Sequence, residues 1–189
     1  WWNLCKIFSS KKNNARKPIM ANTFGQVPGS VATDGNLLLL WAPEGAIADP
    51  SAPTVAELSA AGVVDITYSL TTTGYNRTAT QAADEDPRLS LKEVLQTPGK
   101  VTHGLEVQYV HGSDEDVANT VFVDGAKGHV VERRAVDIES DLAAAQIVDV
   151  IPVTVGFPRK DAPAANGKFT KTVTLFTRGK VGSDVAVVA

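Results

Sequence analysis

Hydrophobic and polar positions alternate along several short stretches of this chain, which is the period of a half-buried strand. In "KFTKTVTLFTRGK" (168–180) one side carries Phe169, Val173 and Leu175, and the other carries Thr170, Thr172 and Thr174. "VVDITYSL" (63–70) places Val64, Ile66, Tyr68 and Leu70 on one side, and "VTHGLEVQYV" (101–110) does the same with Val101, His103, Leu105, Val107 and Tyr109. "GHVVERR" (128–134) and the terminal "VAVVA" (185–189) read as further strands. "NLLLLWAP" (36–43), a short apolar run stopped by Pro43, reads as a buried strand, and "QIVDVIPVTVGF" (146–157) is apolar on both faces and should lie centrally.

Helix signals are few. Thr54 followed three residues later by Glu57 is a capping box, predicting a helix of two or three turns that Gly62 ends. Ser113 is a plausible N-cap for a second short helix, with the following acids favourable in its first turn. Residues 20–35 read as an extended arm, and 158–167 as a Pro/Ala/Gly-rich connector. The pattern weakens over 71–100, a long excursion that reads as a loop, hairpin or flap. Seven or eight strands with one or two short helices predict a mainly β domain, a sandwich or partly closed barrel with a helix alongside.

Composition supports strands: Val, Ala and Thr are abundant and aromatics are few among the 189 residues. The net charge of −3 hides an asymmetry, because residues 1–19 hold five cations and no acid. Removing those five from the eighteen cations leaves thirteen against twenty-one acids, a balance of −8 over 20–189. Such a body repels nucleic acid phosphates and anionic membranes. The leader 1–19 precedes the only methionine, Met20, and is expected to be upstream or appended sequence before a single domain over 20–189. The single cysteine, Cys5, has no disulfide partner in the chain, which suits a reducing compartment.

Chemistry is sparse. The three histidines, His103, His111 and His129, lack metal-ligand spacing. His103 reads as a packed strand residue, and His111 and His129 as loop or strand-edge residues. No phosphate loop or nucleophile elbow occurs, and the Asp-Glu-Asp triplets at 84–86 and 114–116 lack the glycine and distal glutamate of a calcium loop. These readings predict no enzyme, no metal and no cofactor.

The stretch "PTVAELSAAGVVDITYSL" (53–70), with "DPRLS" (86–90), "TPGKVTHGLEVQYV" (97–110), "IVDVIPVTVGFPRKDAP" (147–163) and "KTVTLFTRGKVGSDVAVVA" (171–189), resembles the major tail proteins, or tail tube proteins, of long-tailed phages of actinobacteria. The resemblance implies a structural virion protein, assembled in the host cytoplasm. Its hexameric rings would stack into a hollow tube through which double-stranded DNA passes. It also implies contact with a tape measure protein, a tail terminator and a distal tail protein. On this reading Asp84, Glu85, Asp86 and Arg88 of the excursion are candidate inter-ring contacts. Thr170, Thr172 and Thr174 are candidates to face the lumen or a neighbouring subunit. A head–tail connector, a decoration protein or a soluble ligand-binding β-sandwich module are the alternatives.

Overall fold

The two-sided apolar run 147–155 becomes a central strand, as its pattern predicts. The computed structural model describes residues 29–165 and 167–189; the leader 1–19 and arm residues 20–28 lie outside the described residues. Strand β5 (Lys127–Arg134) pairs along one edge of β6 (Ile147–Val155). The other edge of β6 is shared by β8 (Thr170–Thr177) and β9 (Gly182–Ala186), which follow one another along it. With β1 (Leu37–Pro43), β2 (Val64–Asp65), β3 (Leu70–Asp86) and β4 (Leu95–Val110), the sheet runs β2-β1-β5-β6-β8-β4-β3, each pairing antiparallel. The two-residue β7 (Arg159–Lys160) adds to β8.

The sheet's two ends are one continuous stretch of chain. Residues 64–67 bond to β1: Ile66 N–H donates to Leu39 C=O at 3.0 Å, and the Leu39 N–H donates to Thr67 Oγ1 at 2.8 Å. After a 3₁₀ turn at Thr67–Ser69 the chain restarts as β3, and Leu70 pairs with Tyr109 of β4. The chain thus bends round a barrel corner and changes partner, closing by continuity what hydrogen bonding leaves open. The alternation over 63–70 therefore does not persist as one strand, and Tyr68 turns outward to 79% exposure.

Two apolar clusters form around this frame. Inside the curled sheet lie Leu39, Trp41, Val107, Tyr109, Ile151 and Val173. Phe122, just after α2 (Val117–Val121), packs edge-on to Trp41 and tilted to Tyr109, with ring centroids 5.5 Å apart in both pairs. Outside it, Leu38, Leu40, Val131, Val148 and Val150 are covered by Leu58 of α1 (Val55–Leu58) and by Val187. The middle of the sheet is thus buried on both faces, which is why its strands carry unbroken apolar runs.

The Thr54–Glu57 capping box forms as expected, but α1 is a single turn, because the chain must return to lay Val64 beside Trp41. At α2 the N-cap is Asp116 rather than Ser113; its carboxylate makes no cap and accepts the Gly112 N–H at 2.6 Å.

The loop after β5 is organised by a residue that the strand pattern does not flag. Arg133 is fully buried, and its guanidinium donates to the carbonyls of Asp137 (2.8 Å) and Ser140 (2.9 Å) and to Gln146 Oε1 (3.1 Å). Replacing it with Met keeps the stem but orphans these acceptors. Arg133→Met should cost about 2–4 kcal/mol in denaturant unfolding; an unchanged midpoint would contradict the clamp.

The 71–100 excursion is a β-hairpin, not an irregular loop. β3 and β4 stay in register from Tyr75–Val107 out to Asp86–Leu95, with a bulge at Gln81/Ala83, and residues 87–94 form the tip. Beyond the barrel every residue from Thr78 to Pro98 is exposed. At the root, Thr71–Gly74 bulge opposite Gln108, and a Cβ on Gly74 would lie 2.2 Å from the Gln108 carbonyl oxygen, so this close approach requires glycine.

Candidate assembly surfaces

Polar residues of β3, β5 and β6 fix the hairpin where it leaves the barrel. Glu132, beneath the outgoing β3, has a side chain only 1% exposed. It accepts hydrogen bonds from Tyr75 Oη (3.0 Å), Arg77 Nη1 (2.8 Å) and Arg134 Nε (2.5 Å). Arg77 also pairs with Asp149, whose other oxygen accepts the Asp184 N–H at 2.6 Å. Burial, then the nearby Glu132 charge, pushes the Tyr75 phenol far up, so it stays a donor at any ordinary pH. Burial lowers the Arg77 pKa, but hydrogen bonds to Asp149 and Glu132 outweigh it and keep the guanidinium charged. A cavity of about 650 Å³ opens above this cluster, between β3 and β9.

The hairpin itself is a two-stranded ribbon with both faces in solvent. An isolated two-stranded ribbon is marginal in water, and its outer edges present unpaired backbone groups. Leu89, Leu91, Val94 and Leu95 are all exposed around its tip. Such an element is a candidate docking surface held out from the rest of the sheet.

Asp84, Glu85, Asp86 and Arg88 lie together at the tip, all exposed. Within the chain Arg88 already pairs with Asp86, at 2.6 Å from Nη2, and Glu85 accepts from Gln96 Nε2 at 3.1 Å. Thr170, Thr172 and Thr174 do occupy the face of β8 turned away from Val173 and Leu175. Asp161 accepts the hydroxyls of Thr170 (2.8 Å) and Thr172 (2.9 Å), and Gln108 Nε2 at 3.0 Å. Thr174 lines a shallow hollow with Val101 and Phe176. Phe169, expected on the apolar side, is 64% exposed: it precedes β8, with the His111 ring 6.1 Å from its own. Val101 is exposed for a related reason: it sits on the projecting hairpin. His129, expected at a loop or edge, is buried within β5, where burial and then Arg178 lower its pKa.

The carboxylate that gathers these hydroxyls should be visible in acid. Burial raises the Asp161 pKa, but hydrogen bonds from Thr170, Thr172 and Gln108 overcome this, so its folded value lies below the ordinary one. A depressed folded value gives stability that is present above the usual carboxylate range, about 3.9, and is lost as pH falls through the folded value. Unfolding between pH 6 and pH 2.5 should show a shallower acid loss for Asp161→Asn than for wild type; parallel curves would contradict this.

A family model described as phage tail tube protein matches residues 25–189. The chain belongs to the phage tail tube protein family. Its fold is similar to that of a chain in the cryo-EM structure of the anti-feeding prophage baseplate, 6-fold symmetrised, with a TM-score of 0.54 at 10% identity. The match covers 82% of this chain and 97% of that one. No curated protein sequence matches. As a tail tube family member the protein is a structural component of the virion, and its surfaces are to be read as contacts with other tail subunits. The sequence resemblance and the family agree on the tail tube.

Sequence reasoning missed the residues that hold these surfaces in place. Glu132 and Arg133 sit in "VERR", which reads as the polar end of a strand, yet both are buried. Asp161 lies in the connector, where it looks like a solvated turn residue.

Proposed function

We propose that this tail tube protein assembles into six-membered rings that stack into a hollow tube conducting double-stranded DNA. The observation that carries the reading is the hairpin: a ribbon with exposed faces, free edges and exposed leucines, which other copies of the chain would cover. The 6-fold symmetry of the baseplate that shares its fold supports rings of six. A balance of −8 per subunit over 20–189 gives about −48 per ring, and DNA carries one negative charge per about 1.7 Å of axis, so the wall repels the passing duplex. The polar face of β4 and β8 suits that wall: Glu106, Gln108, Thr170 and Thr174 are partly exposed on it, and Asp161 ties down the hydroxyls of Thr170 and the buried Thr172, leaving few donors to grip phosphate. Asp84, Glu85, Asp86 and Arg88 at the tip face the adjacent ring. Each exposed pair contributes only about 0–1 kcal/mol, so it is sixfold repetition that makes them count.

The reading includes assembly in the host cytoplasm, around a tape measure protein and between a distal tail protein and a terminator, as the family resemblance implies. Negative-stain microscopy of concentrated protein tests the reading. Tubes with six-fold cross-sections are expected. Single rings that never stack would favour a connector or decoration protein, and a lasting monomer would contradict assembly.

A further inference from the structure

One lysine lies on the core side of its strand. Lys171 shares the face of β8 that carries Val173 and Leu175 inward, and its cross-strand partner on β4 is the fully buried Tyr109. Its partner on β7 is another cation, Lys160. Helix α2 covers this end of the core, with Phe122 just after it packed on Tyr109. The half-buried Lys171 donates from Nζ to Oδ1 of Asn119, in α2, at 2.5 Å. Among the described residues no carboxylate forms an ion pair with it; the group facing the amine is an amide. A carbonyl carbon lies about 1.23 Å from its oxygen, so Asn119 Cγ is within about 3.7 Å of Nζ. Reacting atoms in a near-attack pair stand about 3–3.5 Å apart.

Two further groups surround the pair. Asp116, the N-cap of α2, precedes Asn119 by three residues and so shares its side of the turn. Its charge reaches the Tyr109 phenol: burial, then Asp116, push that group up to about 12. The phenol therefore stays protonated, and its oxygen is buried with no hydrogen-bond partner among the described residues.

We propose that Lys171 and Asn119 join in an intramolecular isopeptide bond, a covalent staple between β8 and α2 that the folded subunit makes by itself. The staple goes beyond the stacked-ring reading and does not depend on it. Lys171 Nζ gives a proton to the Asp116 carboxylate and attacks Asn119 Cγ as the free amine. The new N–C bond forms while Tyr109 Oη donates to the oxyanion on Oδ1. The bond from Cγ to Nδ2 then breaks. Asp116 relays both protons lost by Nζ to the departing nitrogen, which leaves as ammonium, and the carboxylate ends as it began. Nothing is oxidised or reduced, and no co-reactant enters. The bond joins positions 52 apart and, like a disulfide, restricts the unfolded chain.

The intact mass of the purified wild-type protein tests this. Most molecules should be lighter than the sequence by one ammonia, and Lys171→Arg should have its full sequence mass. A tryptic digest of wild type should contain a branched peptide in which 101–127 is joined to 169–178, uncut after Lys171. That peptide is read on wild type alone and needs no variant to fold. In a denaturing gel the stapled chain should run ahead of Lys171→Arg, and Asp116→Asn should leave most chains unlinked. Wild-type protein at its full mass overturns the staple. So does an ammonia loss that persists in Lys171→Arg, because Asn119 alone can lose ammonia by closing to a succinimide. Undiminished linkage in Asp116→Asn overturns the part given to Asp116.

Discussion

Replacing residues 80–102 with Asn-Gly will leave a folded monomer that forms no tubes. Ala79 and His103 lie directly opposite each other, so a two-residue turn closes the ladder without disturbing its register. The excised part carries almost no buried surface, and the network at its root, Tyr75 and Arg77 on Glu132, is kept. Monomer stability should therefore change by less than about 1 kcal/mol. Assembly should be lost outright, because the shortened protein has neither the ribbon edges nor the tip leucines. Normal tubes from this variant would remove the hairpin from the assembly mechanism. A variant that fails to fold would show instead that the ribbon supports the barrel.

Removing the Glu132 carboxylate should be among the most destabilising substitutions outside the apolar core, comparable to Arg133→Met. Glu132→Leu fills a similar volume but leaves the buried Tyr75 hydroxyl without its acceptor and Arg77 with Asp149 alone. Breaking one partner of a buried charged cluster costs about 3–5 kcal/mol. Arg134 is largely exposed and can turn to water, so about 3 kcal/mol is expected, or a Tm lower by roughly 6–12 °C. A double-mutant cycle with Arg77→Met separates the pair from the rest of the cluster. The loss should shrink markedly in the Arg77→Met background, since that variant has no stranded guanidinium. Equal losses in both backgrounds would mean that Glu132 acts through packing rather than charge.

What the sequence reveals of this fold depends on how local each cause is. The two-sided burial of β6, the capping box at Thr54 and Glu57, and the buried side of β8 at Val173 and Leu175 all follow from patterns within ten residues of themselves. The corner at Thr67–Ser69 does not. It exists because the chain leaves β1 at one end of the sheet and joins β4 at the other, and the alternation in "VVDITYSL" contains no trace of that change of partner. For the opposite reason the pattern does not single out the hairpin, one of the readings open for the 71–100 excursion. Its two faces are both in solvent, so selection for burial leaves no sustained alternation, and the pattern over 71–100 leaves loop, hairpin and flap open although the segment is regular β-structure. Glu132 illustrates the third limit. Its partners Arg77 and Tyr75 are 55 and 57 residues away in sequence, and only the folded sheet brings them above it.

The same limit applies to the assembly surfaces. The acids at 84–86 are legible as a cluster, but their meaning comes from standing at the end of a ribbon. The threonine ladder is legible as a face, but the carboxylate that ties down two of its hydroxyls comes from a connector nine to eleven residues earlier.

Hydrogen exchange of the amides of residues 77–86 and 95–104, measured in the isolated subunit and again in assembled tubes, is the most direct measurement. Free in solution, the ribbon should open easily, and these amides should exchange far faster than those of β6. Stacking should slow them by at least about a hundredfold, because neighbouring copies then cover both edges. A ribbon as protected alone as the barrel interior, or one still exchanging freely inside finished tubes, would contradict the claim that this element awaits other copies of the chain.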